Sequence, residues 1–158
     1  MNVTIRPLKI KDAAISWKWR NDPEIWELTG KTWNNHITKE MEESWIKKVI
    51  RQNNSRRFAI CIGKDQKYIG NIQLTDINQE EAFSHMFIGE KKYWGKGIGT
   101  KAKKLLLNYA KQHLSIIRIK AVVKRKNLAS IRSLEKTGYV FSHSIDEEHD
   151  LMIHDLSR

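Results

Sequence analysis

The run Tyr93-Trp94-Gly95-Lys96-Gly97-Ile98-Gly99-Thr100 sets three alternating glycines around a lysine, at the threshold of an amphipathic helix. Glycine has no Cβ, so backbone N–H groups there can crowd an anionic ligand, and the unpaired N–H groups of the next helix add the positive end of its dipole. The chemistry suited to this spacing is the cradling of a phosphate. Ile98, Ala102, Leu105, Leu106, Tyr109 and Ala110 then recur at helical spacing, with Lys101, Lys103, Lys104, Asn108 and Lys111 mostly between them. Such a helix can dock on a sheet and hold the cradle at its open end.

Spacing narrows the kind of phosphate. A P-loop requires Gly-Lys-Ser/Thr in that order, whereas Gly99 is followed by Thr100-Lys101. In the dinucleotide fingerprint the place of the third glycine falls on Thr100 or, in a looser frame, on Ala102, and Ile119 and Lys120 stand where its acidic residue belongs. The segment Trp94-Gly95-Lys96-Gly97-Ile98-Gly99 instead resembles the pyrophosphate loop of the GNAT N-acetyltransferase superfamily, Arg/Gln-x-x-Gly-x-Gly/Ala, with Trp in the first place. Asn127 to Tyr139, Asn-Leu-Ala-Ser-Ile-Arg-Ser-Leu-Glu-Lys-Thr-Gly-Tyr, is similar to the Asn-x-x-Ser helix ending in Glu-Lys-x-Gly-Phe/Tyr of one branch, which holds ribosomal-protein N-terminal, polyamine and amino-sugar acetyltransferases. Thr4-Ile5-Arg6-Pro7-Leu8 looks like the family's first strand. The resemblance implies an α/β, three-layer fold: a mixed, mostly antiparallel central sheet with a splayed strand pair, flanked by about four helices, in a single N-acetyltransferase domain over residues 1–158.

The elements needed to position these motifs are readable. Val3 and Ile5 alternate in a first strand; Ile15, Trp17 and Trp19 are assigned to a first helix that breaks before Asn21-Asp22-Pro23, and a loop is expected from there to Thr38. Thr38 can cap a helix with Met41, Trp45 and Val49, together with Ile46, as its apolar stripe. Phe58 to Ile62 and Tyr68 to Leu74 read as a hairpin, Ala82 to Ile88 as the strand before the glycine loop, and Ile116 to Val123 as a strand after its helix. Asn127 opens a helix that stops at Gly138, and Tyr139 to Phe141 and Asp150 to Ile153 close as strands.

The chain is 158 residues long, enough for one domain with a sizeable core. It has no repeat, no low-complexity linker, no apolar run of bilayer length and no signal-peptide core, so a soluble, cytoplasmic protein without a membrane association is expected. The single Cys61, inside Phe58-Ala59-Ile60-Cys61-Ile62, reads as a buried core thiol. His143, His149 and His154 lack the clustering of a metal site, and no metal is expected.

The resemblance also implies roles. Acetyl-CoA would be the co-substrate: Phe87, Ile88 and Gly89 would offer backbone to its pantetheine arm, and backbone from Gly95 through Thr100, behind Trp94 and including Ile98 and Gly99, would hold its pyrophosphate. Lys96 adds charge and Thr100 a hydroxyl, while Asn127 would contact the arm. Read as residues alone, Gly95 is a tight turn and Asn127 a helix cap. Many family members carry a proton-donating tyrosine where this chain has Leu134; Ser130 is the candidate in its stead, with a small packing residue as its other reading. Phe83 occupies the place of a frequent glutamate base, and His85, on the same face of that strand, is the candidate proton acceptor, or else a structural histidine.

For the acceptor, Trp19-Arg20-Asn21 resembles the opening of amino-sugar acetyltransferases, and Trp26 and Trp33 offer rings for stacking or for packing. The formal charge of +11 favours an anionic small-molecule amine, such as a nucleotide-linked amino sugar, over cationic polyamines. Scattered basic residues without a reading motif argue against nucleic acid. Protein N-terminal or polyamine acetylation, a noncatalytic acyl-CoA sensor and a nucleic-acid-binding module remain the alternatives, and a homodimer is left open.

Overall fold

The computed structural model describes residues 1–27 and 36–157. Strand β1 (Val3–Pro7) leads through a turn of 3₁₀ helix (Ile10–Asp12) into α1 (Ala13–Arg20), α2 (Pro23–Glu27) and α3 (Lys39–Val49). Strands β2 (Arg56–Ile62), β3 (Lys67–Thr75) and β4 (Glu81–Ile88) precede a second 3₁₀ turn (Lys91–Tyr93) and the long α4 (Ile98–His113). Then come β5 (Arg118–Lys124), α5 (Leu128–Lys136), β6 (Val140–Ser144) and β7 (His149–Asp155).

The strands form one seven-stranded sheet in the order β1-β2-β3-β4-β5-β7-β6. Every neighbouring pair is antiparallel except β4 and β5. Both faces of its first half are covered, which is why β2 reads as an unbroken apolar run. Phe58, Ile60 and Ile62 join Ile72, Leu74, Ile98, Leu106 and Ile119 in one core, whereas Ala59 and Cys61 join Leu8, Trp19, Ile25, Trp26, Ile46 and Tyr68 in the other. Cys61 is fully buried. No helix among the described residues is long and apolar enough to cross a membrane.

Two local expectations are corrected. The loop expected between Asn21 and Thr38 contains α2, which starts with Pro23 at its first position, where no N–H is missed, and buries Ile25 and Trp26; the Asp22 carboxylate accepts the Glu24 N–H at 3.1 Å. The helix assigned to Ile15, Trp17 and Trp19 is α1, and its inward face is Ala13, Ser16 and Trp19, with Ile15 exposed. On α3 the buried residues are Glu42, Ile46 and Val49, with Met41 turned outward. The helix is rotated about one position from the all-apolar reading because a carboxylate takes the inward place. Its cap is as expected, the Thr38 hydroxyl accepting the Met41 N–H at 3.1 Å.

Candidate active site

β4 and β5 pair only where Glu81, Ala82 and Phe83 meet Arg118, Ile119 and Lys120. Beyond that they diverge, and a gap opens along the rest of β4. Its far end is a bulge: the N–H groups of Gly89 and Glu90 both donate to the Ile69 carbonyl, at 2.7 and 3.2 Å. Bonding alternates along an antiparallel ladder, so with Gly89 turned to β3 the backbone groups of Phe87 and His85 also face β3, while those of Ser84, Met86 and Ile88 face the gap. Of the three positions expected to meet a pantetheine arm, only Ile88 thus turns its backbone to the gap, and its carbonyl accepts the Trp94 indole N–H at 2.8 Å. Gly89 serves differently, since a Cβ there would lie inside the Trp19 ring.

The glycine loop follows. Gly95 and Gly97 sit at φ +72° and +78°, the left-handed region that glycine enters freely, and a Cβ at either would meet no atom within 4 Å. Packing therefore does not demand these glycines; the space beside them is open. The first intrahelical bond of α4 runs from the Lys101 N–H to the Gly97 carbonyl at 3.2 Å, so Ile98, Gly99 and Thr100 present N–H groups without an intrahelical acceptor. The ammonium groups of Lys96, Lys92 and Lys67 lie 5.9, 5.3 and 5.6 Å from the centre of the Tyr93 ring, adding positive charge beside the loop. The Thr100 hydroxyl is engaged with Ser133 Oγ at 3.1 Å and ties α4 to α5. This open cradle, ringed by donors and cations, fits a diphosphate.

Gly99 lies over Met86, and Met86 leads into a cavity of about 760 Å³ along the gap. One wall brings together Asn127, Ser130, Leu134 and Lys103, and the other Arg20, Trp26, His85 and Phe87. Asn127 caps α5, its side-chain oxygen accepting the Ser130 N–H at 3.2 Å. His85 is exposed to the cavity, with Nε2 3.1 Å from the Thr75 hydroxyl. Phe83, its neighbour on the same face, lies under the Lys120 ammonium, 4.5 Å from the ring centre.

Trp19 and Asn21, expected to touch the acceptor, do not line the cavity. Trp19 is buried against Tyr68 and Phe87, with ring centres 4.9 and 5.8 Å away. Asn21 clasps the Ile37 backbone, accepting its N–H and donating to its carbonyl, each at 2.8 Å. Both position the wall rather than form its surface. Trp33 lies outside the described residues.

Glu42, Trp45 and Arg57, which the sequence did not mark as site residues, also line the cavity beside Arg20 and Trp26. Buried Glu42 accepts the Ser16 hydroxyl at 2.6 Å and the Arg20 Nε at 3.2 Å. The Arg20 guanidinium lies 4.3 Å from the Trp45 ring centre and 5.2 Å from that of Trp26. The Arg57 guanidinium stands 5.3 Å from the centre of the same Trp45 ring, and its buried Nε has no hydrogen-bond partner among the described residues. Burial, and then Arg20, push its guanidinium below the usual arginine range. Among the described residues no group of three or more His, Cys, Asp or Glu could hold a metal ion.

The Acetyltransferase (GNAT) domain family matches residues 2–140. The chain belongs to this family. A probable N-acetyltransferase of Bacillus subtilis, YjcK, is 37% identical over 93 residues, covering 57% of this chain and 51% of the relative. Spermidine N(1)-acetyltransferase of Escherichia coli is 26% identical over 93 residues, 58% of this chain and 49% of that protein. The chain thus spans about half the length of these two relatives. Among solved structures, spermidine N-acetyltransferase from Vibrio cholerae, in complex with CoA and spermine, superposes with a TM-score of 0.87 at 22% identity over 98% of this chain and 96% of that one. The fold is therefore the expected GNAT α/β fold. Where these proteins' names give an acceptor it is spermidine, and the narrower resemblance to the ribosomal-protein and amino-sugar branch gains no support.

Proposed function

We propose that the chain transfers an acetyl group from acetyl-CoA to a primary amine of a small molecule. The observation that carries this reading is the continuity of the glycine cradle with the gap beside β4 and with a cavity reached by His85. The N–H groups of Ile98, Gly99 and Thr100 would hold the diphosphate, and the backbone of Met86 and Ile88 would pair with the arm. His85 would take the proton that the amine loses, directly or through water.

Two acceptor classes compete, and each has an observation in its favour. The comparisons back a polyamine better than an amino sugar. The charges of the cavity favour an amine that carries an anionic group, such as a nucleotide-linked amino sugar. Glu42 is already engaged by Ser16 and Arg20, while the Nε of Arg57, without a partner among the described residues, would be satisfied by a carboxylate or phosphate oxygen.

CoA release from acetyl-CoA, measured with spermidine and with a nucleotide-linked amino sugar at low and high salt, tests both. The cavity's charges lead us to expect faster turnover of the anionic amine, with an apparent KM that rises with salt. In Arg57→Met that KM should rise by about tenfold, while turnover of any neutral amine is unchanged. Efficient, salt-insensitive acetylation of spermidine would establish the polyamine reading instead. CoA release with no amine at all, alongside tight acetyl-CoA binding, would mark a sensor.

A further inference from the structure

Lys103 lies in the second turn of α4, facing inward, and is buried to more than nine-tenths, with 8% of its surface exposed. A lysine is seldom placed so without a carboxylate. Among the described residues it forms no ion pair, and its one hydrogen bond goes to Ser133 Oγ on α5, at 2.9 Å. Ser133 in turn meets the Thr100 hydroxyl at 3.1 Å. The ammonium points into the cavity wall beside Met86, whose backbone faces the gap, and shares that wall with Ser130 and Leu134.

Acyl transfer from a thioester leaves a sulfur that must collect a proton, and this wall has few donors for it. Leu134 has none, and the Asn127 amide and the Ser130 hydroxyl are neutral groups that hold their protons tightly at neutral pH. We propose that Lys103 is the proton donor to the departing CoA sulfur, a role that rests on the acetyl-transfer reading above. As the amine nitrogen bonds to the acetyl carbon, the carbon–sulfur bond breaks with its electron pair on sulfur. The Lys103 ammonium gives that sulfur a proton and becomes a neutral amine. The proton that His85 takes from the attacking nitrogen passes on through water and restores the ammonium, so the sum is amine plus thioester to amide plus thiol. Burial, with no opposing charge, pushes Lys103 from the usual lysine range down to about 8, close to the roughly 8.5 of an ordinary thiol, where donor and acceptor are matched for transfer. Ser133 and Thr100 hold the side chain to α4 and α5 without neutralising it.

The test uses free CoA, so it stands even if no acceptor is acetylated. The thiol of CoA bound to saturating protein is titrated by its thiolate absorbance. With the native chain its pKa should fall by about one unit, because an ammonium beside the sulfur favours the thiolate. Lys103→Met should abolish that fall, and Lys103→Arg, which keeps a fixed charge, should preserve it. With any amine that the native protein acetylates, both variants should lose about 10²-fold in kcat, since neither side chain can pass a proton, while CoA affinity stays within about threefold. A bound thiol that titrates alike in the native and Lys103→Met proteins would overturn the proposal. So would a Lys103→Met variant that loses CoA affinity yet turns over normally once saturated, which would make Lys103 an anchor for the diphosphate.

Discussion

The two ends of the cleft are made of different materials. The cradle end is backbone: Gly95 and Gly97 in left-handed conformations, three N–H groups at the start of α4, and strand edges on β4. The other end, where the proposed acceptor would sit, is side chain: the Arg20 guanidinium between Trp26 and Trp45, pinned by a Glu42 that also holds Ser16. A backbone site depends on a few neighbouring residues and on their φ angles, so it is local and general. A side-chain site depends on packing between residues far apart in sequence, as Ser16 and Glu42 are, so it is specific and easily altered. Changes at the first end should therefore abolish binding without unfolding the chain, and changes at the second should trade stability against acceptor choice.

The sharpest contrast comes from Gly97→Glu. Its left-handed φ costs a side chain about 1–2 kcal/mol, which a folded domain survives, but a carboxylate beside a diphosphate costs several kcal/mol. Acetyl-CoA affinity should fall by about 10³-fold in calorimetry with the circular dichroism spectrum unchanged, and retained affinity would place the diphosphate elsewhere. At the other end, Glu42→Ala strands the Arg20 charge in a buried setting and should lower stability by about 3–5 kcal/mol. Denaturant unfolding measures it, and adding Arg20→Met should recover much of the loss; a double variant no better than the single one would mean that Arg20 is well solvated without its partner.

Smaller effects refine the boundary between the ends. His85→Ala should slow turnover by about 10²-fold at neutral pH, with partial recovery at high pH as free amine accumulates. Native turnover across the range would leave His85 with a structural role beside Thr75. Lys103 should be a burden on the fold. Its folded-state pKa, about 8, lies below the ordinary 10.5, so the unfolded chain binds the extra proton between those values and stability rises with pH through that window. Lys103→Met should then be more stable than the native chain at neutral pH, by about 2 kcal/mol, and the difference should shrink toward pH 10. Equal stabilities at both pH values would show that the ammonium is fully solvated.

This division also explains what the sequence disclosed. The glycine loop, the Thr38 and Asn127 caps and the stop at Gly138 are local signals, and each marks its place in the structure. The α3 register did not follow from apolar spacing, because Glu42 faces inward for the sake of Arg20 and Ser16, partners that no local pattern announces. Trp19 and Asn21 were expected against the acceptor from a short motif, but of Trp19-Arg20-Asn21 only Arg20 reaches the cavity. Lys103 lies in a run of lysines between the apolar positions of its helix, and only tertiary packing buries it, as it buries the Nε of Arg57. The divergence of β4 from β5 was implied by the family resemblance, whereas the bulge that decides which backbone groups are free came from the Ile69 carbonyl.

The ring of Trp19 resting on Gly89 gives the molecule a pivot for divergence. The contact fixes where β4 ends, and thus where the cradle begins, with the hidden face of the same tryptophan whose neighbour Arg20 serves the acceptor end. Selection acting on Trp45, Met41 or Arg57 can reshape the pocket for a new amine without disturbing that contact. Any side chain at 89 would displace Trp19, and with it Phe87 and the end of the strand, damaging both ends at once. On the proposed function, acceptor preference in descendants of this sequence should therefore drift freely while Gly89 stays fixed, so that what is modified changes more readily than how the donor is held.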